Sequence, residues 1–364
     1  MEEKLESLSK IAKHTILCLM CLVIMAMTGC DNREELYIFN WSVYTPKSVI
    51  EKFEKEYNVR VVYDEFDSNE SMYTKLKSGG SGYDIVFPSA DYVSIMMKEG
   101  MLARIDLNKI PNRQYIDPKV LEMADYDPNM EYSVPYYFGA AGVTVNTEKV
   151  PVFERSWSIF ARNDFPGKKM TMLDDMREVM GDALKFLGYS VNTTNQAEIT
   201  EARDLINNQW KQNLLKFDAD TFGTGFASGD FWVVQGYPET VFAEIADNKK
   251  MMDTAVFFIP QEGGPAYIDS MVILKDSNNS DLAHKFIDFI HRPEIYAEFC
   301  DYFGFPATVN TQAGQYIKGF RDSGRSWYTT DDLFLNDKIE LKKDIGSALE
   351  LYNNAWLNSI RAGE

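Results

Sequence analysis

Two acidic residues near the middle of the chain are spaced so that they could act together in catalysis or in binding a cation. Asp175 and Glu178 lie three residues apart at the start of a predicted helix, so their carboxylates share one helix face. Such a pair could act in glycoside hydrolysis, or it could cap the helix and interact with its dipole. It could equally receive a cationic group, and the pair alone leaves these three readings open.

Two aromatic residues, Trp41 and Tyr44, follow a predicted strand at 36–39. Thr45 and Pro46 then predict the N-cap and first residue of a helix. In open α/β sheets, ligands bind at the edge where strands end and helices begin. The two aromatic side chains could therefore line a cleft, or they could be core residues buried under a loop.

Adjacent tyrosines, Tyr136 and Tyr137, raise a third possibility, because tyrosine pairs ligate ferric iron in some periplasmic proteins. We favour the simpler interpretation that they alternate between the two faces of a strand. The sequence has only three histidines, so a zinc site or a histidine-dependent catalytic triad is not expected. His14 lies in a predicted signal peptide, and His284 and His291 are expected on helix surfaces.

The sequence lacks the motifs GxxxxGK[ST], GxGxxG, GxSxG and HExxH, so neither an enzyme nor a cofactor is expected. The net charge of −18 argues against a nucleic-acid partner and is compatible with a cationic ligand. The chain of 364 residues is longer than a single hydrophobic core usually supports, so two domains are expected.

The first 29 residues are expected to be a lipoprotein signal peptide. Three lysines precede an apolar run at 16–27 that is too short to span a bilayer. The run ends in Met-Thr-Gly-Cys, which resembles the bacterial lipobox, so Cys30 is expected to carry lipid and 30–35 to form a linker. Asp31 favours retention on the inner membrane, and hence a periplasmic protein. Cys300 would remain as a free thiol, without a disulfide partner.

Predicted strands and helices alternate after the signal peptide and linker at 1–35. Three strand–helix units in succession predict a parallel, doubly wound α/β sheet. An extended segment at 132–146 with a glycine-containing centre predicts a crossing between two domains. The expected elements are strands at 36–39, 59–63, 83–87, 169–173, 231–235, 255–260 and 267–274, helices at 46–57, 68–77, 90–99, 175–187, 198–210, 238–247, 280–291 and 294–302, loops at 111–129 and 217–225, and two helical stretches after 331.

Several segments together resemble one family, the periplasmic spermidine/putrescine-binding proteins of polyamine ABC transporters. The resemblance covers about 36–363 and implies a type II periplasmic-binding-protein fold, with two α/β lobes and a ligand cleft between them. It implies a monomeric, non-catalytic protein. The segments that carry it are NWSVYTP at 40–46, SNESMYTKLKSGGSGYDIVFPSADYV at 68–93, YSVPYYFGAAGVTVN at 132–146, LDDMREV at 173–179, LGYSVNTT at 187–194 and EGGPAYIDS at 262–270.

The resemblance also implies lobe limits and a ligand. The first lobe would comprise 36–138 and 268–308, and the second 139–267 and 309–364. The protein would close on putrescine or spermidine and deliver it to a membrane permease. A polyamine consists of ammonium groups joined by methylenes, so its site needs carboxylates at intervals and flat apolar surfaces between them. Aromatic faces suit this task, because each attracts a cation by about 0.5–2 kcal/mol.

The resemblance places the ligand site on aromatic and acidic residues of both lobes. Asp269 corresponds to the acid for an inner ammonium, and Asp175 and Glu178 correspond to the carboxylates at one end. Tyr267 stands where the family often has a stacking Trp. The expected ligand-binding residues are Trp41, Ser42, Tyr44, Ser89, Asp91, Asp175, Glu178, Tyr237, Tyr267, Asp269 and Phe305, with Gln235 and Glu239 competing with Tyr237.

Four positions depart from the family pattern. Val43 replaces an acid, and Asp91 replaces an aromatic residue and could restore that charge. Phe305 lacks the hydroxyl of the usual Tyr. Lys342 or Lys343 falls near a position that is often Gln. A lysine inside the cleft would repel an ammonium and favour a shorter diamine or another ligand. We favour a solvent-facing helix residue or a slipped alignment here, and whether either lysine enters the cleft stays open.

Two other functions stay open at this point. A receptor for ferric iron or another small solute would use Tyr136 and Tyr137. An extracytoplasmic hydrolase would use Asp175 and Glu178, although the shortage of histidine argues against it.

Overall fold

The computed structural model describes residues 33–42, 44–79, 82–304, 306–318, 333 and 337–362. The expected signal peptide, Cys30 with its expected lipid, Val43 and Phe305 lie outside these ranges. Cys300 is a buried free thiol, as expected. No helix within the described ranges is long and apolar enough to cross a membrane.

The strands form two mixed sheets. In chain order the strands are β1 (Glu35–Trp41), β2 (Arg60–Phe66), β3 (Ile85–Val86), β4 (Ser133–Ala140), β5 (Gly142–Asn146), β6 (Met170–Met172), β7 (Leu214–Phe217), β8 (Val233–Gly236), β9 (Ala255–Phe258), β10 (Pro265–Ile273) and β11 (Glu340–Leu341). The first sheet has the order β11-β10-β3-β1-β2, with β4 also paired to β10, and the second has the order β7-β6-β8-β5-β9.

Helices cover both sheets. Two of them, α6 and α12, continue as π-helical turns at Ile206–Trp210 and Trp356–Ile360. In chain order the α-helices are α1 (Lys47–Tyr57), α2 (Asn69–Lys77), α3 (Ala90–Lys98), α4 (Pro118–Met123), α5 (Met176–Phe186), α6 (Gln196–Leu205), α7 (Phe222–Ser228), α8 (Pro238–Ile245), α9 (Lys249–Thr254), α10 (Ser280–Ile290), α11 (Pro293–Phe303) and α12 (Leu349–Ala355).

The predicted parallel arrangement is confirmed for β1, β2 and β3. The long strand β10 then inserts antiparallel to β3, so the first sheet is mixed. Parallel strands need a crossover connection, whereas β10 returns from the second sheet and enters from the opposite end. The strand–helix pattern of the sequence therefore predicted three of the six strands of this sheet. Strand β10 joins these three to β4 and β11.

The chain passes between the two sheets at three places. Strand β4 belongs to the first sheet and β5 to the second, with only Ala141 between them. The chain returns between β9 and β10, and β11 pairs with the first residues of β10 before α12 packs into the second core. Gly142 is required at the first crossing, because a Cβ there would lie 2.6 Å from the Phe258 carbonyl oxygen.

One predicted loop is partly helical. Helix α7 begins within the segment expected to be a loop at 217–225, although its glycines have low helix propensity. Burial outweighs propensity here, because Phe222 and Phe226 enter the core. Gly223 permits close packing on α8, since a Cβ would lie 2.7 Å from the Thr240 carbonyl oxygen. The sequence also failed to predict α4, within the expected loop at 111–129, and α9.

The start of α1 also differs from its prediction. Pro46 is the N-cap residue, with Lys47 as the first helical residue, and no side chain caps this helix. Thr45 instead accepts a hydrogen bond through Oγ1 from Asn40 Nδ2, at 3.1 Å. Thr45 thereby links the end of β1 to the turn that carries Tyr44.

The prediction that His284 and His291 lie on the surface was wrong, because both are buried. His284 Nε2 accepts a hydrogen bond from the Asp106 amide at 2.9 Å, where a long connection covers α10. Burial lowers the pKa of His291 to about 4, so this ring is neutral. Neither histidine is near the acidic residues of the candidate site in the contacts described below.

Candidate functional site

Asp269 is the centre of a buried hydrogen-bonded group between β10 and the end of β3. Its side chain is held by two hydroxyls: Tyr44 Oη donates to Oδ2 at 2.9 Å, and Ser89 Oγ donates to Oδ1 at 2.6 Å. Asn69 Nδ2 in turn donates to Ser89 Oγ at 3.0 Å. Asp269 is 4% exposed, and no protein cation is in hydrogen-bond contact with it among the described residues.

Backbone contacts hold Asp269 and Ser89 next to each other. Ser89 is the N-cap residue of α3, at the C-terminal end of β3, and it forms an antiparallel bridge with Asp269. A register shift between Asp269 and Ser270 turns the strand at this point, and the Ser270 amide donates to the Pro88 carbonyl at 3.0 Å. Asp269 therefore lies at the strand edge where parallel sheets bind ligands.

Burial raises the pKa of Asp269 to about 6. The hydrogen bonds from Ser89 and Tyr44 favour the charged form, and so does the more distant charge of Lys342, but together they only partly oppose the desolvation. At neutral pH the carboxylate is thus ionised, buried and incompletely neutralised. A group in this state favours a cationic ligand.

Several aromatic rings lie near this carboxylate. The Tyr44 ring meets Tyr136 edge-on at 5.4 Å between centroids, and the Tyr267 ring is perpendicular to Tyr237 at 5.7 Å. Gly139 makes room for Tyr267, because a Cβ on this glycine would lie 2.5 Å from the Tyr267 hydroxyl. Tyr267 thus occupies its position beside Asp269 only because β4 carries no side chain there.

Trp41 and Ser42 lie at the border of this group. The Trp41 indole N–H donates to the Phe87 carbonyl at 2.9 Å, and its ring packs at 4.7 Å from Phe66. Trp41 is only partly buried, so it has both a core contact and an exposed part. Ser42 Oγ donates to the exposed Asp67 at 2.8 Å. The structure therefore does not bring the Ser42 hydroxyl into contact with Asp269.

Glu178 is the centre of a second buried acidic group, on α5. Its Oε1 accepts a hydrogen bond from Lys342 Nζ at 2.5 Å, and the Tyr237 hydroxyl lies 3.5 Å from the same oxygen. The glutamate side chain is 0% exposed and the lysine side chain 12%. Burial raises the pKa of Glu178, and the charge of Lys342 opposes this rise.

Asp175 is the N-cap residue of α5, so the capping interpretation is confirmed. Its Oδ1 accepts from the amides of Arg177 and Glu178, at 2.9 and 3.0 Å. Asp175 also contributes to the negative potential at Lys342, together with Glu178 and Asp91. Asp91 is buried, and its Oδ1 accepts from the Tyr92 amide at 3.0 Å. The first and second sheets therefore both supply carboxylates to one region.

Lys342 turns inward to Glu178, whereas the sequence interpretation favoured a solvent-facing lysine and left its entry into the cleft open. The nearby carboxylates of Glu178, Asp175 and Asp91 outweigh desolvation and raise the pKa of Lys342. The next residue behaves as predicted, since Lys343 is half exposed and pairs with Asp125 at 2.5 Å. Adjacent residues of an extended segment alternate, so only one of the two lysines can turn inward.

Two further acids near the site were not predicted. Asp182 lies one helical turn after Glu178, and burial raises its pKa well above the usual range, as do the charges of Glu178 and Asp175. Glu70 has its pKa raised by burial and by the charges of Asp175 and Asp91. The i, i+4 spacing from Glu178 could have identified Asp182, whereas no local signal identifies Glu70.

The competing candidates around Tyr237 have different roles. Gln235 Oε1 accepts from the Leu173 amide at 2.8 Å, so this side chain braces the strand that leads to α5. Glu239 lies in the first turn of α8, and burial raises its pKa to about 7. Tyr237 is the one of the three that contacts both Glu178 and Tyr267.

The two tyrosines considered for iron have other contacts. The Tyr136 hydroxyl donates to the Tyr44 carbonyl at 2.7 Å, and burial raises the pKa of this phenol well above its usual range, which disfavours a phenolate ligand. Tyr137 is fully buried on the same strand. Within the described ranges, no three acidic, cysteine or histidine side chains are grouped to hold a metal ion.

The chemistry available here is cation binding. Asp175 is occupied as a helix cap and Glu178 is paired with Lys342, so they do not form the free carboxylate pair that glycoside hydrolysis uses. Asp269 offers a buried negative charge beside aromatic faces, which is a suitable environment for an ammonium group.

Comparison with known proteins assigns the chain to a family. The sequence profile described as "Bacterial extracellular solute-binding protein" matches residues 48–333. The spermidine/putrescine-binding periplasmic protein of Escherichia coli is 31% identical over 359 residues, which cover 98% of this chain and 100% of that protein. The putrescine-binding periplasmic protein SpuD of Pseudomonas aeruginosa is 32% identical over 301 residues, covering 78% of this chain and 80% of SpuD.

A solved structure agrees with these relatives. The crystal structure of the TpPotD lipoprotein of Treponema pallidum superposes with a TM-score of 0.85 at 50% sequence identity. The superposition covers 90% of this chain and 99% of TpPotD. The expected type II periplasmic-binding-protein fold is therefore confirmed.

Proposed function

Because the chain belongs to the family of bacterial extracellular solute-binding proteins, we propose that it is the substrate-binding component of a polyamine ABC transporter. It captures putrescine or a related polyamine between its two lobes and delivers it to the membrane permease. The observation that carries the proposal is the buried Asp269 carboxylate, held by the Tyr44 and Ser89 hydroxyls among aromatic rings. The names of the E. coli and P. aeruginosa relatives support the choice of ligand.

In this proposal Asp269 binds one ammonium group of the ligand. A charge-assisted hydrogen bond contributes about 1.5–3 kcal/mol, and an aromatic face about 0.5–2 kcal/mol toward a cation. Three such hydrogen bonds and two faces are of the order needed for micromolar binding, about −8 kcal/mol, after association costs. Tyr267 and Tyr237 supply the two faces, and Tyr44 donates its hydroxyl hydrogen bond to the carboxylate beside them.

The remaining expected site residues keep subsidiary roles in the proposal. Ser89 orients Asp269, Trp41 forms a wall, and Asp91 and Asp175 add negative potential near Lys342. Ser42 lies at the rim of the cleft, and its hydroxyl, which donates to Asp67, makes no contact with the ligand in the proposal. Phe305 is retained from the sequence interpretation alone.

We also propose the division into two lobes that close on the ligand. The sheet limits favour a first crossing at Ala141 and a return between β9 and β10, slightly different from the predicted limits of 138 and 268. β11 pairs with β10 of the first sheet, although the segment 309–364 was predicted to belong to the second lobe. The chain crosses to the second sheet only after β11, so β11 itself pairs within the first sheet.

Export and lipid anchoring at Cys30 complete the proposal, with a monomer in the periplasm held at the inner membrane. The chain's own lipobox-like segment supports the anchor. Metabolic labelling with palmitate tests it: the wild-type protein should incorporate label and the Cys30→Ser variant should not. Equal labelling of both proteins would contradict the anchor and leave the ligand proposal intact.

Titration calorimetry tests the ligand. Putrescine or spermidine should bind the mature protein with micromolar or tighter affinity. Butylamine, which has a single ammonium, and 1,4-butanediol, which has none, serve as matched controls and should bind far more weakly. Heat from neither polyamine at high micromolar concentration would overturn the proposal.

A further inference from the structure

We propose that the ammonium of Lys342 takes the place of one ammonium of a longer polyamine, so that the cleft selects a diamine over a triamine. This inference rests on the proposed function and narrows its ligand class. The starting observation is that Lys342 Nζ already donates to Glu178 Oε1 at 2.5 Å, near the carboxylates of Asp175 and Asp91. Glu178 therefore has a cationic partner from the protein itself.

The lysine is built into this position. Its amide donates to the Ala266 carbonyl at 3.0 Å, which extends the pairing of β11 with β10. On the other side, Asn192 accepts from the Lys343 amide at 2.8 Å and donates to the Leu341 carbonyl at 2.8 Å. The backbone is thus fixed before and after Lys342, so the side chain can leave Glu178 only by rotating about its own bonds.

The surrounding charges keep Lys342 in its ammonium form and attract it inward. Glu178, Asp175 and Asp91 all raise its pKa, despite the burial of the side chain. A second ammonium placed at Glu178 would lie next to this charge and would be repelled by it. The Glu178 end of the cleft is therefore closed to a ligand ammonium unless Lys342 is displaced.

The Asp269 end remains available. The donors to Asp269 are the neutral hydroxyls of Tyr44 and Ser89, so its negative charge has no contacting cation among the described residues. A diamine can place one ammonium there and leave Lys342 on Glu178. A triamine carries a third ammonium and a further methylene chain, which would have to compete with Lys342 for the Glu178 end.

The test compares putrescine and spermidine by titration calorimetry on the wild-type protein and on Lys342→Gln. Glutamine keeps a donor for Glu178 and removes the charge. The wild-type protein should bind putrescine at least tenfold more tightly than spermidine. In Lys342→Gln the ratio of the two dissociation constants should move at least tenfold toward spermidine.

Lys343→Gln is the matched control, because it removes an exposed lysine from the neighbouring position and should leave the ratio unchanged. A ratio within threefold of wild type in a folded Lys342→Gln variant would overturn the inference while the proposed function stands. If that variant does not fold, the wild-type ratio decides, because equal or tighter binding of spermidine contradicts the inference. Binding of neither polyamine to the wild-type protein would overturn the proposed function and the inference together.

Discussion

The two acidic ends of the cleft differ in what balances a buried carboxylate. Asp269, on β10, receives hydrogen bonds from the neutral hydroxyls of Tyr44 and Ser89. Glu178, on α5, receives a hydrogen bond from the charged Lys342. Both acids are buried to a similar degree. In the function that we propose, the protein itself neutralises Glu178, and the charge of Asp269 is left for a ligand.

Burial makes these two arrangements energetically distinct. Removing the partner of a buried ion such as Glu178 costs free energy. A buried carboxylate such as Asp269, which accepts hydrogen bonds from neutral hydroxyls, remains available to a cation. The pKa of Asp269 is raised to about 6, which means that its negative charge is poorly compensated near neutral pH. A ligand ammonium would supply the missing compensation, and this is the source of binding free energy in our account.

Asp269→Asn should have the largest effect on binding. Removing one partner of a buried charge pair costs about 2–5 kcal/mol, so putrescine affinity should fall on the order of 100-fold or more. Titration calorimetry measures this loss. Asp67→Asn is the control, because Asp67 is exposed and contacts Ser42 outside the Asp269 group. Equal affinities for wild type and Asp269→Asn would contradict the assignment of the ligand end.

Glu178→Gln should mainly reduce stability. Breaking an isolated buried ion pair costs roughly 3–5 kcal/mol, and we expect about 2–3 kcal/mol because Asp175 and Asp91 still attract Lys342. Urea unfolding of the protein without ligand measures the change in the free energy of unfolding. Putrescine affinity should fall less than in Asp269→Asn. The reverse pattern, full stability with abolished putrescine binding, would show that the ligand and not Lys342 is the partner of Glu178.

The pH dependence of binding should report Asp269. An ammonium binds the ionised carboxylate, so the free protein must release a proton below its pKa of about 6 before it binds. Putrescine affinity should be nearly constant above pH 7 and fall roughly tenfold between pH 7 and pH 5. Calorimetry at several pH values measures this profile. A flat profile across this range would contradict the role of Asp269.

Tyr44→Phe should have the smallest of these effects. It removes one hydrogen bond to the charged form of Asp269, so putrescine affinity should fall by about 1 kcal/mol, roughly fivefold. The midpoint of the pH profile should also move upward, because this hydrogen bond stabilises the carboxylate. Ser42→Ala, whose hydroxyl faces Asp67, is the paired control and should bind as wild type. A fivefold loss in Ser42→Ala with none in Tyr44→Phe would reverse the assignment.

Local signals predicted much of the fold. The alternation of apolar runs and helix caps identified the first three parallel strands, and Ser68 caps α2 by accepting from the Ser71 amide at 3.1 Å. These features depend on neighbouring residues, so the sequence carries them directly. Helix α7 escaped prediction, because its stability depends on packing against α8 and on the burial of Phe222.

The site was harder to predict, because its contacts join distant segments. Tyr44 and Asp269 are 225 residues apart, and Lys342 and Glu178 are 164 residues apart. The family resemblance suggested the acids and aromatic residues, and their use in binding a ligand stays a prediction. The inward turn of Lys342 depends on the register of β11 against β10, which the charged local sequence does not determine.

A crystal structure of the protein with putrescine tests the comparison most directly. Our account predicts one ligand ammonium within hydrogen-bond distance of Asp269, with Lys342 still bound to Glu178. A ligand ammonium on Glu178, with Lys342 turned away, would contradict it.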